Sequence, residues 1–181
     1  MRLFVAILLP GRIAAALGAL QARIPAGRLV PAENLHLTLA FLGEVAEGAA
    51  EALHEELSRI RGGPAEVAFE GLVTLGGRVP SVLAAEVAAG PGLAALNRKV
   101  LGAAHLAGLR PDRQRFRPHV TLARFGAGGP TPDEAARLAG FLAAQGAARP
   151  GSFVARSFSL MRSDPAKAGR AYRELAAYPL D

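Results

Sequence analysis

The 181-residue chain has no cysteine, no tryptophan, two tyrosines and two lysines, Lys99 and Lys167. Without cysteine there is no disulfide framework, thiolate-bound zinc, cysteine-ligated iron–sulfur cluster or cysteine nucleophile. The shortage of Trp and Tyr argues against broad aromatic stacking along a single-stranded nucleic acid as the main binding mode. No window approaches the roughly 20 apolar residues of a membrane span. The apolar run Leu3 to Leu9 follows Met1-Arg2 much as a signal peptide would, but Pro10-Gly11 closes it too early. It reads instead as a buried strand, so a cytoplasmic protein with no membrane partner is expected.

What is present points to a single folded unit spanning 1–181. A chain of this length buries roughly 70% of its unfolded surface, enough for a core without staples. Alanine, at 39 residues, inflates the 51% hydrophobic content, so the core must come from Leu, Val, Ile and the eight Phe. The net charge is +6, and 19 of the 21 basic residues are Arg. A coding bias toward G and C explains Arg in place of Lys, but it does not explain the sign. Arg presents a planar fork that matches phosphate, so an anionic partner is expected. Four histidines, His36, His54, His105 and His119, are the candidates for proton transfer near neutral pH.

Strand and helix patterns alternate along the chain. Helices are expected over Arg12 to Ile24, Ala46 to Ile60, Leu93 to Ala107 and Pro132 to Gln145, the last capped by Thr131 with Glu134 three residues on. Strands are expected over Leu35 to Leu42, Val67 to Leu75, Ser81 to Val87, His119 to Phe125 and Phe153 to Arg162, with a final extended segment from Ala171 to Tyr178. The strand-to-strand steps favour an α+β fold over a purely parallel sheet.

One octapeptide pattern occurs twice, matching at His, Thr, Leu, Ala and Gly: His36-Leu37-Thr38-Leu39-Ala40-Phe41-Leu42-Gly43 and His119-Val120-Thr121-Leu122-Ala123-Arg124-Phe125-Gly126, 83 residues apart. Four His and four Thr give roughly 0.09 chance instances of His-x-Thr in such a chain, so the two extended copies are a genuine repeat. In a strand, His and Thr of each copy share one face and the aliphatic residues the other. Two lobes related by a pseudo-two-fold axis then place two imidazoles and two hydroxyls around a common cleft, an acid and a base flanking an anion. A lone histidine on a half-buried strand is commonly a structural one; the duplication is what favours chemistry here. His54 and His105, outside the repeat, read as solvated or structural.

Other chemistries fit less well. Two His with no Asp or Glu in either motif leave a metal site short of ligands. There is no Gly-x-Ser-x-Gly elbow and no phosphate-binding Gly-rich loop ending in Lys and Ser/Thr. Arg110, Arg113, Arg115, Arg117 and Arg124 crowd around the second motif. Arg117 is on the His119 face by parity. Arg124, five residues beyond His119, leaves the opposite face of an ideal strand and needs a bend or bulge to reach a phosphate. Phe41 is a candidate for base stacking, with a core role as the competing reading.

The paired His-x-Thr motifs resemble those of the 2H phosphoesterase superfamily, and most closely its bacterial and archaeal RNA 2′,3′-cyclic phosphodiesterases, historically called 2′-5′ RNA ligases. The resemblance runs from Arg2-Leu3-Phe4-Val5-Ala6-Ile7 through Glu33-Asn34-Leu35 with the first motif and Phe116-Arg117-Pro118 with the second. It ends in Leu160-Met161-Arg162-Ser163, Gly169, Tyr172 and Tyr178-Pro179-Leu180. Met161 departs from the pattern where an aromatic residue is common. The resemblance implies an α+β fold of two lobes, each an antiparallel sheet with helices on its outer side and the motifs lining the cleft between them. It implies hydrolysis of the cyclic phosphate at an RNA 3′ end to a 2′-phosphate, without metal or cofactor. His36 would be the proton donor to the departing 3′ oxygen, His119 the base that activates water, and Thr38 and Thr121 donors to the non-bridging oxygens. RNA ends carrying a cyclic phosphate are the expected partner, nucleotides are candidate ligands of the same cleft, and a monomer is expected. Two alternatives stand: 2′-5′ ligation by reversal of the same chemistry, and an RNA-binding protein without turnover.

Overall fold

A computed structural model describes residues 1–111, 115–164 and 171–181. Among them are nine strands: β1 (Arg2–Leu8), β2 (Arg28–Leu29), β3 (His36–Glu44), β4 (Ala65–Gly76), β5 (Pro80–Val87), β6 (His119–Arg124), β7 (Ser152–Ala155), β8 (Ser157–Ser163) and β9 (Tyr172–Pro179). Four α-helices accompany them: α1 (Gly11–Gln21), α2 (Glu47–Ser58), α3 (Pro91–Leu106) and α4 (Pro132–Gln145). Arg113 and Gly169 lie outside the described residues.

The strands pair antiparallel in the order β7-β4-β5-β6-β3-β1-β8-β9, with β2 added to β6. This is the α+β fold expected, its two antiparallel halves joined in one ladder at the middle. The junction is a single pair, Leu37 opposite Val120, the second residues of the two motifs. Beyond it β2 takes over that edge of β6, pairing Leu29 with Ala123 and Arg28 with Arg124. The pseudo-two-fold axis therefore passes between β3 and β6, and each half contributes four strands to the path.

One face of the sheet is dry. Leu37, Leu39, Val120 and Leu122 pack with Ile13 and Leu17 of α1, Leu53 and Leu57 of α2, and Leu93, Leu96 and Val100 of α3 in one buried cluster. Burying such side chains contributes roughly 1.5–3 kcal/mol each. β1 is apolar on both faces: Leu3, Val5 and Ile7 join this cluster, while Phe4 and Ala6 form a second one with Met161, flanked by Tyr172. The long apolar run at the start of the chain is thus a central strand.

Two expectations need correction. The strand expected over Phe153 to Arg162 is two strands on distant parts of the sheet, β7 beside β4 and β8 beside β1. The alternation of buried residues changes phase between Ala155 and Phe158, and the Arg156 carbonyl accepts a hydrogen bond from the Leu180 N–H, so the chain crosses between halves there. The first helix stops at Gln21 rather than Ile24, because Pro25 disfavours helical backbone in the residue before it. The capping box of α4 forms as expected, with Thr131 Oγ1 accepting from the Glu134 N–H and Glu134 Oε2 accepting from the Thr131 N–H. His54 shares a 2.8 Å hydrogen bond with the hydroxyl of Tyr178, whose burial pushes its pKa up to about 12. His105 is exposed in the last turn of α3.

Candidate active site

The antiparallel register around Leu37 and Val120 runs His36 toward Thr121 and Thr38 toward His119, all four on the face opposite the helices. The motifs share one burial pattern: half-buried His, buried aliphatic, half-buried Thr, two buried residues, then an exposed side chain. That pattern departs from strict alternation because each strand carries a β-bulge. Across from β1, Thr38 faces Ala6 and Ala40 faces Val5, leaving Leu39 as the extra residue. Across from β5, Thr121 faces Ala84 and Ala123 faces Leu83, leaving Leu122 as the extra residue. An extra residue reverses parity, so Phe41 and Arg124, the fifth residues after their histidines, return to the cleft face. This supplies the bulge that Arg124 requires.

Both imidazoles are held alike. His36 Nδ1 is 2.7 Å from the Asn34 carbonyl and His119 Nδ1 is 2.7 Å from the Arg117 carbonyl. A carbonyl only accepts, so in each ring Nδ1 carries the hydrogen, which leaves Nε2 as the working nitrogen. The surroundings differ. The His36 ring lies 4.9 Å from Phe4 and 5.2 Å edge-on from Tyr172, centroid to centroid. Burial lowers the His36 pKa below 6.5, the bond to Asn34 opposes the shift, and the charges of Arg124 and His119 lower it further.

Two depressions of about 550 and 530 Å³ meet along Phe41, Pro111 and Arg124. The first reaches His36, Tyr172, Ser163, Arg2 and Arg110. The second reaches His119, Thr38, Thr121, Asn97, Arg115 and Arg117. All the expected site residues in the described chain therefore border one cleft. Phe41 is 62% exposed, which removes it from the core and leaves its ring open to the cleft. Arg117 donates through Nε and Nη2 to Glu86 Oε1 at 3.0 and 2.9 Å, so its charge is already partnered. Arg2, Phe4, Asn97, Ser163 and Tyr172 border the cleft without standing out as site residues in the sequence. The signal for Phe4 was the unbroken apolar run of β1, since a strand apolar on both faces must underlie the cleft. Among the described residues no group of three or more His, Cys, Asp or Glu side chains could hold a metal ion, and no helix is long and apolar enough to cross a membrane.

The sequence profile of the 2′-5′ RNA ligase superfamily matches residues 9–167. The chain belongs to the 2′-5′ RNA ligase superfamily. Among the proteins it resembles, an RNA 2′,3′-cyclic phosphodiesterase of Aeropyrum pernix is 32% identical over 150 residues, 82% of this chain and 83% of that protein. An RNA 2′,3′-cyclic phosphodiesterase of Geobacillus stearothermophilus is 34% identical over 110 residues, 59% of this chain, and the match spans 35% of that protein's length. The crystal structure of E. coli LigT complexed with 3′-AMP superposes with a TM-score of 0.79 at 29% identity, covering 99% of this chain and 97% of that one. The superfamily fold thus accounts for nearly the whole chain.

Proposed function

We propose that this protein hydrolyses RNA 2′,3′-cyclic phosphodiester ends to 2′-phosphomonoesters by two-histidine acid/base catalysis that needs no metal. The observation that carries this reading is the mirrored pair of imidazoles, each with Nδ1 tied back to a carbonyl and each beside a threonine, around one cleft. Relatives named RNA 2′,3′-cyclic phosphodiesterase support the substrate class. LigT structures with 3′-AMP, ATP and phosphate support nucleotides as ligands of the same cleft.

Water attacks phosphorus in line with the 3′ oxygen. His119 Nε2 takes the proton from water as the new P–O bond forms, and the P–O3′ bond breaks. His36 Nε2–H gives its proton to O3′, leaving a 3′-hydroxyl and a 2′-phosphate. The assignment of acid and base follows the family resemblance. Thr38 and Thr121 donate to the non-bridging oxygens as charge builds there. Arg124 pairs with the phosphate, Phe41 stacks on the terminal base, and Arg117, held by Glu86, contributes its carbonyl to His119 and its side chain to the wall of the cleft.

The test is a cyclic-phosphate oligonucleotide incubated with the protein in EDTA, with the products separated. A 2′-phosphate is expected. A 3′-phosphate, or turnover that EDTA abolishes, would refute the scheme, and a joined 2′-5′ product would show the reverse reaction. His36→Ala and His119→Ala are expected to lower kcat by roughly 10²–10⁴ each, and Thr38→Ala or Thr121→Ala by about 10²–10³. Wild-type rates in the doubly substituted His36→Ala, His119→Ala protein would remove the histidines from the mechanism.

A further inference from the structure

The geometry points to Gln21 and Asn97 as positioning residues: their side-chain amides hold the two bulges that turn Arg124 and Phe41 into the cleft. This rests on the proposed function for what those two side chains do once there.

A bulge residue loses its regular place in the ladder, and its carbonyl needs another donor. The Leu39 carbonyl accepts from Asn97 Nδ2 at 2.8 Å, and the Leu122 carbonyl accepts from Gln21 Nε2 at 2.9 Å. Gln21 Nε2 also donates to the Val30 carbonyl at 2.8 Å, and the Val30 N–H donates to the same Leu122 oxygen, so Gln21 ties β6 to the segment following β2 at the bulge. Leu39 and Leu122 are equivalent residues of the repeat. Their partners are crossed: Leu39 of β3 is held from α3, which follows β5, the strand paired with β6, and Leu122 of β6 from α1, which follows β1, the strand paired with β3.

Polar side chains rarely sit this deep. Gln21 and Asn97 are 6% and 7% exposed, two of four buried polar residues among those described. A buried amide opposite a bulged carbonyl satisfies both groups, whereas an apolar residue there takes the side-chain donor from the Leu39 carbonyl, or at Gln21 from the Val30 carbonyl and one of the two donors from the Leu122 carbonyl, and favours sliding the strand back into regular alternation. Regular alternation would aim Arg124 and Phe41 at the apolar face. Neither amide reaches a histidine, so their effect is transmitted through the strand to the side chain two residues beyond each bulge.

The test combines register and kinetics. Gln21→Met and Asn97→Leu remove the donors. Gln21→Glu and Asn97→Asp keep the shape but place an acceptor against the carbonyl, and serve where an apolar variant does not fold. Cross-strand NMR contacts read the register without any substrate. In the native protein Thr121 faces Ala84 and Ala123 faces Leu83; Gln21→Met is expected to abolish this two-for-one pattern, and Asn97→Leu its counterpart in β3. With a cyclic-phosphate oligonucleotide, Gln21→Met is expected to raise KM about tenfold with kcat changed far less. The same substitution in an Arg124→Ala background should add less than about twofold, the non-additivity of residues acting through one contact. Asn97→Leu with Phe41→Ala forms the matching cycle. An unchanged register in a folded variant overturns the inference, as does an equal KM penalty with and without Arg124. A shifted register with unchanged KM supports the clamp and refutes the role given to Arg124 in the proposed function. Failure of all four variants to fold overturns the inference, since the amides would then belong to folding rather than to the site.

Discussion

His36 packs against both Phe4 and Tyr172, with Arg124 among the charges that lower its pKa, and the lowered pKa favours the neutral ring in the free protein near pH 7. A proton donor must be charged when the phosphate arrives. In the proposed mechanism a bound phosphate offsets the Arg124 charge and favours the imidazolium. Binding is therefore expected to be coupled to proton uptake, with affinity falling as pH rises from the lowered free-state pKa of His36 toward a higher pKa in the complex. The check is calorimetry on His119→Ala with a cyclic-phosphate oligonucleotide in buffers of different ionisation heat. Proton uptake is expected near neutral pH; its absence would remove His36 as the donor. Both histidines and both threonines were legible in the sequence because the repeat marks them. The aromatic cage around His36 was not, because Tyr172 reaches it from β9 and Phe4 from β1, contacts that only sheet assembly creates.

Short-range chemistry was readable at the level of elements. Thr131 and Glu134 announced the start of α4, and the reciprocal bonds are present. Thr131→Ala is expected to cost about 1 kcal/mol and to lower Tm by about 2–4 °C in a chain of this size. Thermal unfolding checks it, with turnover unchanged because α4 packs its apolar side on Leu83 and Ala123 rather than at the cleft. The bulges were half legible. The repeated Leu-Ala at the fourth and fifth positions of each motif shows two consecutive apolar residues where alternation calls for one. Nothing local says that a glutamine 101 residues away and an asparagine 58 residues away stabilise the interruption. The split between β7 and β8 escaped the sequence reading for the same reason, since the partner strands decide where a continuous extended stretch must break.

For the whole molecule, the excess of positive charge becomes a local matter. Arg2, Arg110, Arg115 and Arg124 border the cleft, while Arg117 is paired with Glu86. RNA affinity should fall with salt, and Arg124→Ala should reduce the slope of log K against log salt by about 0.7, one phosphate contact on a single strand. Titrations across salt concentrations check this, and an unchanged slope would take Arg124 off the phosphate. By itself the sequence determined the candidate reactive groups, the fold class and the two-lobed symmetry, because residue type, period and repetition are local properties written in order along the chain. Tertiary structure decided which side chains share the cleft. A one-residue bulge reverses parity, and Arg117 finds Glu86 across a strand pair. Burial shifts a histidine through rings from other strands, and each of these depends on neighbours that sequence separation conceals.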